Sequence, residues 1–513
     1  MSPRQIVTLS GSPLSFDTLV RVGAGLAVPR ADEDALARVR RARAAVDDAM
    51  AAGVPVYGAT TGVGAMKDVS WSEDELDAFN AGLVRAHHFG TGAPFPLSTV
   101  RNAITIRINT ALTGRVGCST ELVAAYIALL ERDVIPVVRR TGSIGCADIG
   151  LMGQIGAMLT GVGEAIYKER RLPASIALEE AGLAPIRLRP RDSLASISVN
   201  AIGHAAAAEA TRAAAHALRV LLATSLATAG ALGASRSPWK AVAHVGTERE
   251  ATIGAWLYEN ARGWDWPNAT HVQDPLSLRM MAQVFGTLFQ SLLVCANTVL
   301  AATGRTDDNP VVIDGEVLTS GGSLPLDVTV FMETLQLALT HLARNSFNRC
   351  VLLGNGVRRE LPVNLVPHGA IATGFGPVIK LAGELFTRIL SMSNPVSPQP
   401  LVVAGGLEDE AAFLPLVNER VDRQVRALRR MAALEGLLAA QAMDILGDRP
   451  KGVAGFVYDL VRSHAAFYDV DRPLSAEVEA IEGELASERV LGELIALAPL
   501  PEIDDVFALR PIH

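Results

Sequence analysis

The sequence predicts a mainly α protein: a bundle of long helices, with a smaller N-terminal α+β region carrying a glycine-rich central loop. Composition is the first sign. The 513-residue chain is 49% hydrophobic but only 5% aromatic. Alanine and leucine dominate its apolar set, and these favour helices, whereas strands favour β-branched and aromatic residues. Periodicity is the second. Residues 201–232, 277–303, 328–353, 370–392 and 410–446 read as long helical runs, with apolar positions recurring as at Leu335, Leu337, Leu339 and Leu342. Third, several of these runs are apolar nearly all round, which points to burial within the chain and against other subunits. A chain this long exceeds one compact core. The expected division is residues 1–195, holding both glycine-rich loops, and 196–513, an elongated central helical bundle with C-terminal helices.

The elements follow in order. Residues 1–30 read as a strand and turn region, and 33–52 as a helix stopped by Gly53. A glycine-rich loop, Tyr57-Gly58-Ala59-Thr60-Thr61-Gly62-Val63-Gly64, comes next. Helical patterns cover 72–87, 97–113 and 119–132. The apolar segment 134–138 leads into the central loop, Thr141-Gly142-Ser143-Ile144-Gly145-Cys146-Ala147-Asp148-Ile149-Gly150. A helical pattern over 151–167 and a turn region at 183–190 precede the long runs. The very apolar stretch 214–234 contains His216 and Arg219 and reads as a buried core helix rather than a membrane span. No internal repeat or low-complexity linker interrupts the chain.

The net charge is −8, and the lysines and arginines are scattered, so nothing points to nucleic acid. No apolar segment of signal-peptide length follows Met1. The four cysteines have neither metal-ligand nor disulfide-framework spacing, so no metal site is expected and a reducing cytoplasm is the simplest setting. His88, His204 and His271 read as structural.

Chemistry concentrates in the two glycine-rich loops. Glycine in the central loop lets backbone approach a ligand closely. The helix start behind it aims free N–H groups at whatever sits there. Tyr57 is either a packed tyrosine on a surface turn or a phenol carried over a site as a lid. Cys146 is a small buried apolar residue, a ring precursor, or a thiolate activated by a helix N-terminus.

Taken together, these segments resemble the aromatic amino acid ammonia-lyases and aminomutases (histidine, phenylalanine and tyrosine lyases), over 57–410. Residues 57–64 resemble the family's Tyr-Gly-Val-Asn-Thr-Gly-Phe-Gly lid. Leu83-Val84-Arg85-Ala86-His87, with Gly90 and Gly92, resembles its selectivity segment. Gln273-Asp274-Pro275-Leu276-Ser277-Leu278-Arg279 resembles its Gln-Asp-x-Tyr-Ser-Leu-Arg motif. Asp308-Asn309-Pro310 matches its Asp-Asn-Pro, and Gly405-Gly406-Leu407-Glu408-Asp409 resembles Ala-Asn-Gln-Glu-Asp.

The resemblance implies a carbon–nitrogen lyase of the histidine ammonia-lyase fold, shared between subunits of a homotetramer and acting on an amino acid or related carboxylate. It implies Tyr57 as base for the β-proton, Arg279 as carboxylate clamp, and His87, Ser198, Gln273, Asn309 and Glu408 as substrate-binding residues. A structural salt bridge of Arg279 with Asp274 or Glu408 is the plainer alternative. The family's Ala-Ser-Gly tripeptide cyclises to an electrophilic methylidene-imidazolone (MIO), an internal prosthetic group in place of an external cofactor. Here that region is one residue shorter. In one register Gly145-Cys146-Ala147 replaces the tripeptide and Asp148 keeps its place. In the other Cys146-Ala147-Asp148 replaces it, and Ala147 has no leaving group. Leu276 replaces the tyrosine of the Gln-Asp-x-Tyr motif, and Ser323-Leu324-Pro325-Leu326 replaces Asn-Phe-His-Gly. Three readings stay open: a lyase or aminomutase with an unusual ring, a ring-free lyase or isomerase on the same fold, and a non-catalytic homologue.

Overall fold

The computed structural model describes residues 4–267 and 272–510; His271 lies outside them. The chain is mainly α and forms two compact units, each assembled from three segments. The first comprises Met1–Glu209, Ala296–Val330 and Pro395–Asn418, the second Ala210–Cys295, Phe331–Asn394 and Glu419–His513.

The first unit carries the strands. β1 (Gln5–Leu9) and β2 (Ala27–Ala31) pair in parallel, Gln5 opposite Ala27. Helix α1 (Phe16–Gly23) crosses between them, capped by Ser15. A region that reads as strand and turn therefore contains a helix, whose inward face needs only Phe16, Leu19 and Val22. That repeat is too short for periodicity to reveal. α2 (Glu33–Ala51) is capped by Asp32, and α3 (Glu73–Ala86) starts at a Ser72/Glu75 capping box. α4 (Leu97–Ala111) is buried along most of its length, and α5 (Thr120–Glu131) is capped by Ser119. β3 (Thr91–Pro94) pairs antiparallel with a later strand, β5 (Arg139–Thr141). β4 (Ile135–Pro136) lies between them in sequence.

The helix expected over 151–167 is shorter. α6 (Ile149–Leu159) ends before Gly161 and Gly163, both at positive φ. The chain turns into the hairpin β6 (Glu164–Tyr167)–β7 (Arg170–Pro173), with β4 on its open side. Lys168 and Glu169, at φ 48° and 62°, make the two-residue turn such a hairpin requires. α7 (Ala174–Glu180) and α8 (Asp192–Ile197) follow, and then α9 (Ala201–Ala231) begins. The hairpin β8 (Val311–Ile313)–β9 (Glu316–Leu318) completes the strands among the described residues.

The rest is helical: α10 (Ser237–Val245), α11 (Glu248–Ala261), α12 (Leu276–Arg279), α13 (Met281–Ala302), α14 (Leu326–Gly354), α15 (Gly376–Ser391), α16 (Leu414–Leu446) and four C-terminal helices between Gly452 and Val506. The run 277–303 breaks at Met280. The run 370–392 becomes helical only from Gly376, where Pro377 occupies a first-turn position that proline tolerates. Within the second unit, Arg349 is fully buried and bonds Glu435 Oε1 at 2.6 Å and Ser225 Oγ at 2.6 Å. Two helical segments, Asp192–Ala231 and Met281–Ala302, are long and apolar enough to cross a membrane by length and composition. In the first, 94% of the most apolar window is buried inside the chain. That burial makes it a core helix.

A second buried cluster fixes the floor of the first unit. Asp308 is fully buried and accepts from Arg107 at 2.8 and 2.9 Å and from Arg191 at 3.0 Å. Arg191 also donates to the carbonyls of Val116 and Pro310. Removing the shared carboxylate strands two desolvated guanidinium groups. Asp308→Ala is therefore expected to lose about 3–5 kcal/mol of stability, read as a lower denaturation midpoint in urea.

Candidate active site

The central loop stands on Asp148. Its carboxylate is fully buried: Oδ1 accepts the Ser143 hydroxyl at 2.7 Å and Oδ2 the Gly203 N–H at 2.6 Å. Its backbone carbonyl accepts from Leu151 and Met152, starting α6. Gly203 is glycine because a Cβ there would lie 2.9 Å from that same carboxylate. Ser143 Oγ accepts from Gly145 N–H at 2.9 Å. Gly145, at φ +73°, leaves a Cβ no room, since Phe413 N would be 2.3 Å away.

Above this floor lies a cavity of about 740 Å³. Of the residues singled out from sequence, Tyr57, His87, Cys146, Ala147, Ser198, Asn309 and Glu408 line it. Gly145 and Asp148 belong to the loop beneath. Gln273 and Arg279 belong to the second unit, where Gln273 lines a separate cavity of about 500 Å³. Asp274 pairs with Arg358 at 2.6 Å rather than with Arg279. Sequence reading missed Lys67, Glu410 and Ser320, and it named Asp409 and Ser323 only as members of longer motifs; all five also line the main cavity. Lys67 and Ser320 carry no signal of their own. Asp409 closes the motif that contains Glu408, and the one signal for Glu410 is that it adjoins them in sequence.

Each side chain is held from its own element. The chain turns tightly after Val56, whose carbonyl accepts from Ala59 and Thr60. The turn carries Tyr57 into the cavity, where Gly64 N–H donates to its hydroxyl at 2.9 Å. Burial raises the phenol's pKa above 10.0, the Gly64 bond opposes this, and Glu408 and Cys146 add to the rise. His87, at the end of α3, bonds through Nδ1 to the Leu83 carbonyl at 2.7 Å. A carbonyl only accepts, so Nδ1 carries a proton. If the ring is neutral, Nε2 is an acceptor. Glu408 is paired through its backbone with Val403. Ser198 ends α8, and Asn309 Oδ1 accepts from Ser320 N–H at 2.9 Å.

Cys146 is not an activated thiolate. Burial, Glu408 and Asp148 push its thiol up to about 11. Asp148 is raised to about 6, chiefly by burial. Asp307 is also raised to about 6, by burial and by Asp308, and it accepts from Asn200 N–H at 2.9 Å and Nδ2 at 2.8 Å. His204 is buried and pushed down to about 3, so it stays neutral at physiological pH.

The residues present do not fit a methylidene-imidazolone ring. In the Gly145-Cys146-Ala147 register, the attacking nitrogen would be Ala147 N. That N–H is committed to the Ser323 carbonyl at 3.0 Å, and Ala147 O accepts from Val199 at 3.1 Å. Forming the ring would also require breaking the Cys146 Cβ–Sγ bond, and the attacking residue, Ala147, carries a methyl where the family's tripeptide has glycine. In the Cys146-Ala147-Asp148 register, the middle residue is a methyl with nothing to expel.

The sequence profile described as "aromatic amino acid lyase" matches residues 14–463. The histidine ammonia-lyase of Myxococcus xanthus (strain DK1622) is 30% identical over 505 residues, covering 96% of this chain and 98% of that protein. The crystal structure of the ergothioneine-degrading enzyme ergothionase from Treponema denticola, in complex with desmethyl-ergothioneine sulfonic acid, superposes with a TM-score of 0.92. It is 28% identical and covers 95% of this chain and 100% of that one. The histidine ammonia-lyase of Trypanosoma cruzi shares the fold at a TM-score of 0.87 and 24% identity, covering 99% of this chain and 98% of that one.

Intact-protein mass spectrometry is expected to give the unmodified chain mass; a deficit of hydrogen sulfide plus water at 145–147 would show that the ring forms. Stability is also expected to depend on acid. Asp148 and Asp307 hold protons to about pH 6 when folded but only to about 3.8 unfolded. The folded chain thus binds more protons between those values, and stability falls as pH rises through that window. Asp148→Asn is expected to remove about half of that fall in urea titrations at about pH 4.5 and 6.5.

Proposed function

The chain belongs to the aromatic amino acid lyase family, a carbon–nitrogen lyase of the histidine ammonia-lyase type, and we propose that it eliminates an amine from an α-ammonio carboxylate without an MIO ring. Tyr57 Oη as phenolate takes the β-proton. The C–H electron pair becomes the Cα–Cβ double bond, and the Cα–N pair leaves with the amine. The observation that carries this is Tyr57 opening into a cavity with Glu408 while the residues at 145–148 are unsuited to ring formation.

Without an internal electrophile the leaving group must depart unaided. A quaternary ammonium does so, since it leaves as a neutral tertiary amine and has no proton to lose first. Its fixed charge also favours the phenolate that Tyr57 must become, against the rise caused by burial. Glu408, Asp409 and Glu410 suit that cation, and Lys67, which pairs with Asp68 at 2.6 Å, is the cation on the cavity wall for the carboxylate. If neutral, His87 Nε2 accepts from an imidazole-type side chain. The likeness to ergothionase supports this substrate class.

A second reading, ammonia loss from histidine, is favoured by the 30% identity with the Myxococcus enzyme. We further propose a cytoplasmic homotetramer. Only 44% of the apolar window of α13 is buried within the chain, which leaves apolar surface for other copies to cover and would let Gln273 and Arg279 of one copy serve another.

The test offers histidine and its Nα-trimethyl betaine in parallel and measures the amine released and the conjugated acid formed. Betaine turnover well above histidine turnover is expected; the reverse would sink the proposal. Tyr57→Phe is expected to lower kcat by about 10²–10⁴-fold, and kcat/KM of the wild type to climb with pH through the alkaline range.

A further inference from the structure

A second cavity in the first unit, about 580 Å³, is built differently from the first. Arg38 of α2, Arg115 of the turn between α4 and α5, and Arg305 of the turn after α13 converge on it. The hydroxyl residues Ser10, Ser12 and Ser320 stand among them. No carboxylate lines it among the described residues.

The three cations differ in how they are spent. Arg305 is bidentate with Asp327 at 2.7 and 3.1 Å and is largely neutralised. Arg38 uses Nη2 on the carbonyls of Ser10 at 2.6 Å and Leu112 at 3.2 Å, which fix its direction but do not cancel its charge. Arg115 has no partner for its guanidinium among the described residues. Two full positive charges thus face one concave site, in a chain whose net charge is −8. A size of a few hundred Å³ is that of a small-molecule site. Planar guanidinium forks with hydroxyls between them suit the oxygens of a phosphate.

We propose that this cavity binds a small dianion of the phosphate or phosphate-ester class, as an effector site separate from the catalytic cavity. Its link to that cavity is Ser320, which lines both. Ser320 N–H holds Asn309 Oδ1, and its Oγ accepts from Gly322 N–H at 3.0 Å. One residue further on, the Ser323 carbonyl accepts from Ala147 N–H. An anion engaging Ser320 therefore braces the segment that carries these contacts. The site stands on this geometry and not on the reaction proposed above.

The test titrates the full-length protein calorimetrically with inorganic phosphate at constant ionic strength. Arg115→Gln is the first variant, because Arg115 is exposed and its loss leaves the core intact; Arg38→Gln is the second. Expected are saturable binding, at least about tenfold weaker in each variant, unchanged affinity in Lys67→Gln, and slower hydrogen exchange over 319–323 with phosphate in the wild type alone. Failure of the wild type to bind, equal affinity in Arg115→Gln, or loss of binding in Lys67→Gln would each overturn the proposal. Unaltered exchange over 319–323 would overturn the link through Ser320.

Discussion

The floor of the main cavity depends on one buried carboxylate. Asp148 closes the central loop on itself through Ser143, starts α6 through its backbone, and accepts the Gly203 N–H near the start of α9. A group so desolvated is held in its charged form only by the bonds it accepts, and the rise to about 6 shows that burial outweighs them. The arrangement spends stability on position. It sets Cys146 and Ala147 at the cavity wall with both peptide groups of Ala147 engaged.

Beneath it, a chain of polar contacts ties distant segments to that position. The Ser323 carbonyl accepts from Ala147 N–H and from Asn200 Nδ2 at 2.8 Å. Asn200 also holds Asp307, and the next residue, Asp308, is held by Arg107 and Arg191. Such a network is costly when one partner is lost, although Asn200 Oδ1, Asp307 Oδ1, Arg107 Nε and Arg191 Nη1 are buried without a partner of their own among the described residues. It fixes the 307–323 segment under the cavity, and Asn309 and Ser320 take their places from it.

The chemistry follows from what this scaffold permits. A loop whose Ala147 nitrogen is bonded to the Ser323 carbonyl, and which lacks the family's Ala-Ser-Gly, does not fit the family's ring. What the cavity offers instead is a phenol, a histidine whose Nδ1 proton is held by a carbonyl, one lysine and three consecutive carboxylates. The fold is that of the aromatic amino acid lyases, and the departures lie where the family's ring is made.

Much of this was legible in the sequence, and the reason is local. Helices such as 33–51, 97–111 and 201–231 follow from alanine- and leucine-rich periodicity, and the first also from its Asp32 cap. Tyr57, His87, Cys146, Asn309 and Glu408 stand in ordered segments whose residue types already suggest chemistry. Short elements were not legible: α1 is only eight residues long, and the 164–173 hairpin hides behind an apolar run that ends at two glycines. Nor were Lys67 and Ser320, ordinary surface residues until 296–330 and 395–418 fold against the N-terminal segment. By itself the sequence determined helix content, loop chemistry and family, because these depend on neighbours within a few turns. Only the tertiary structure decided which residues share a cavity and that Ala147 N–H is already bonded, because contacts between segments hundreds of residues apart leave no periodic trace in the chain.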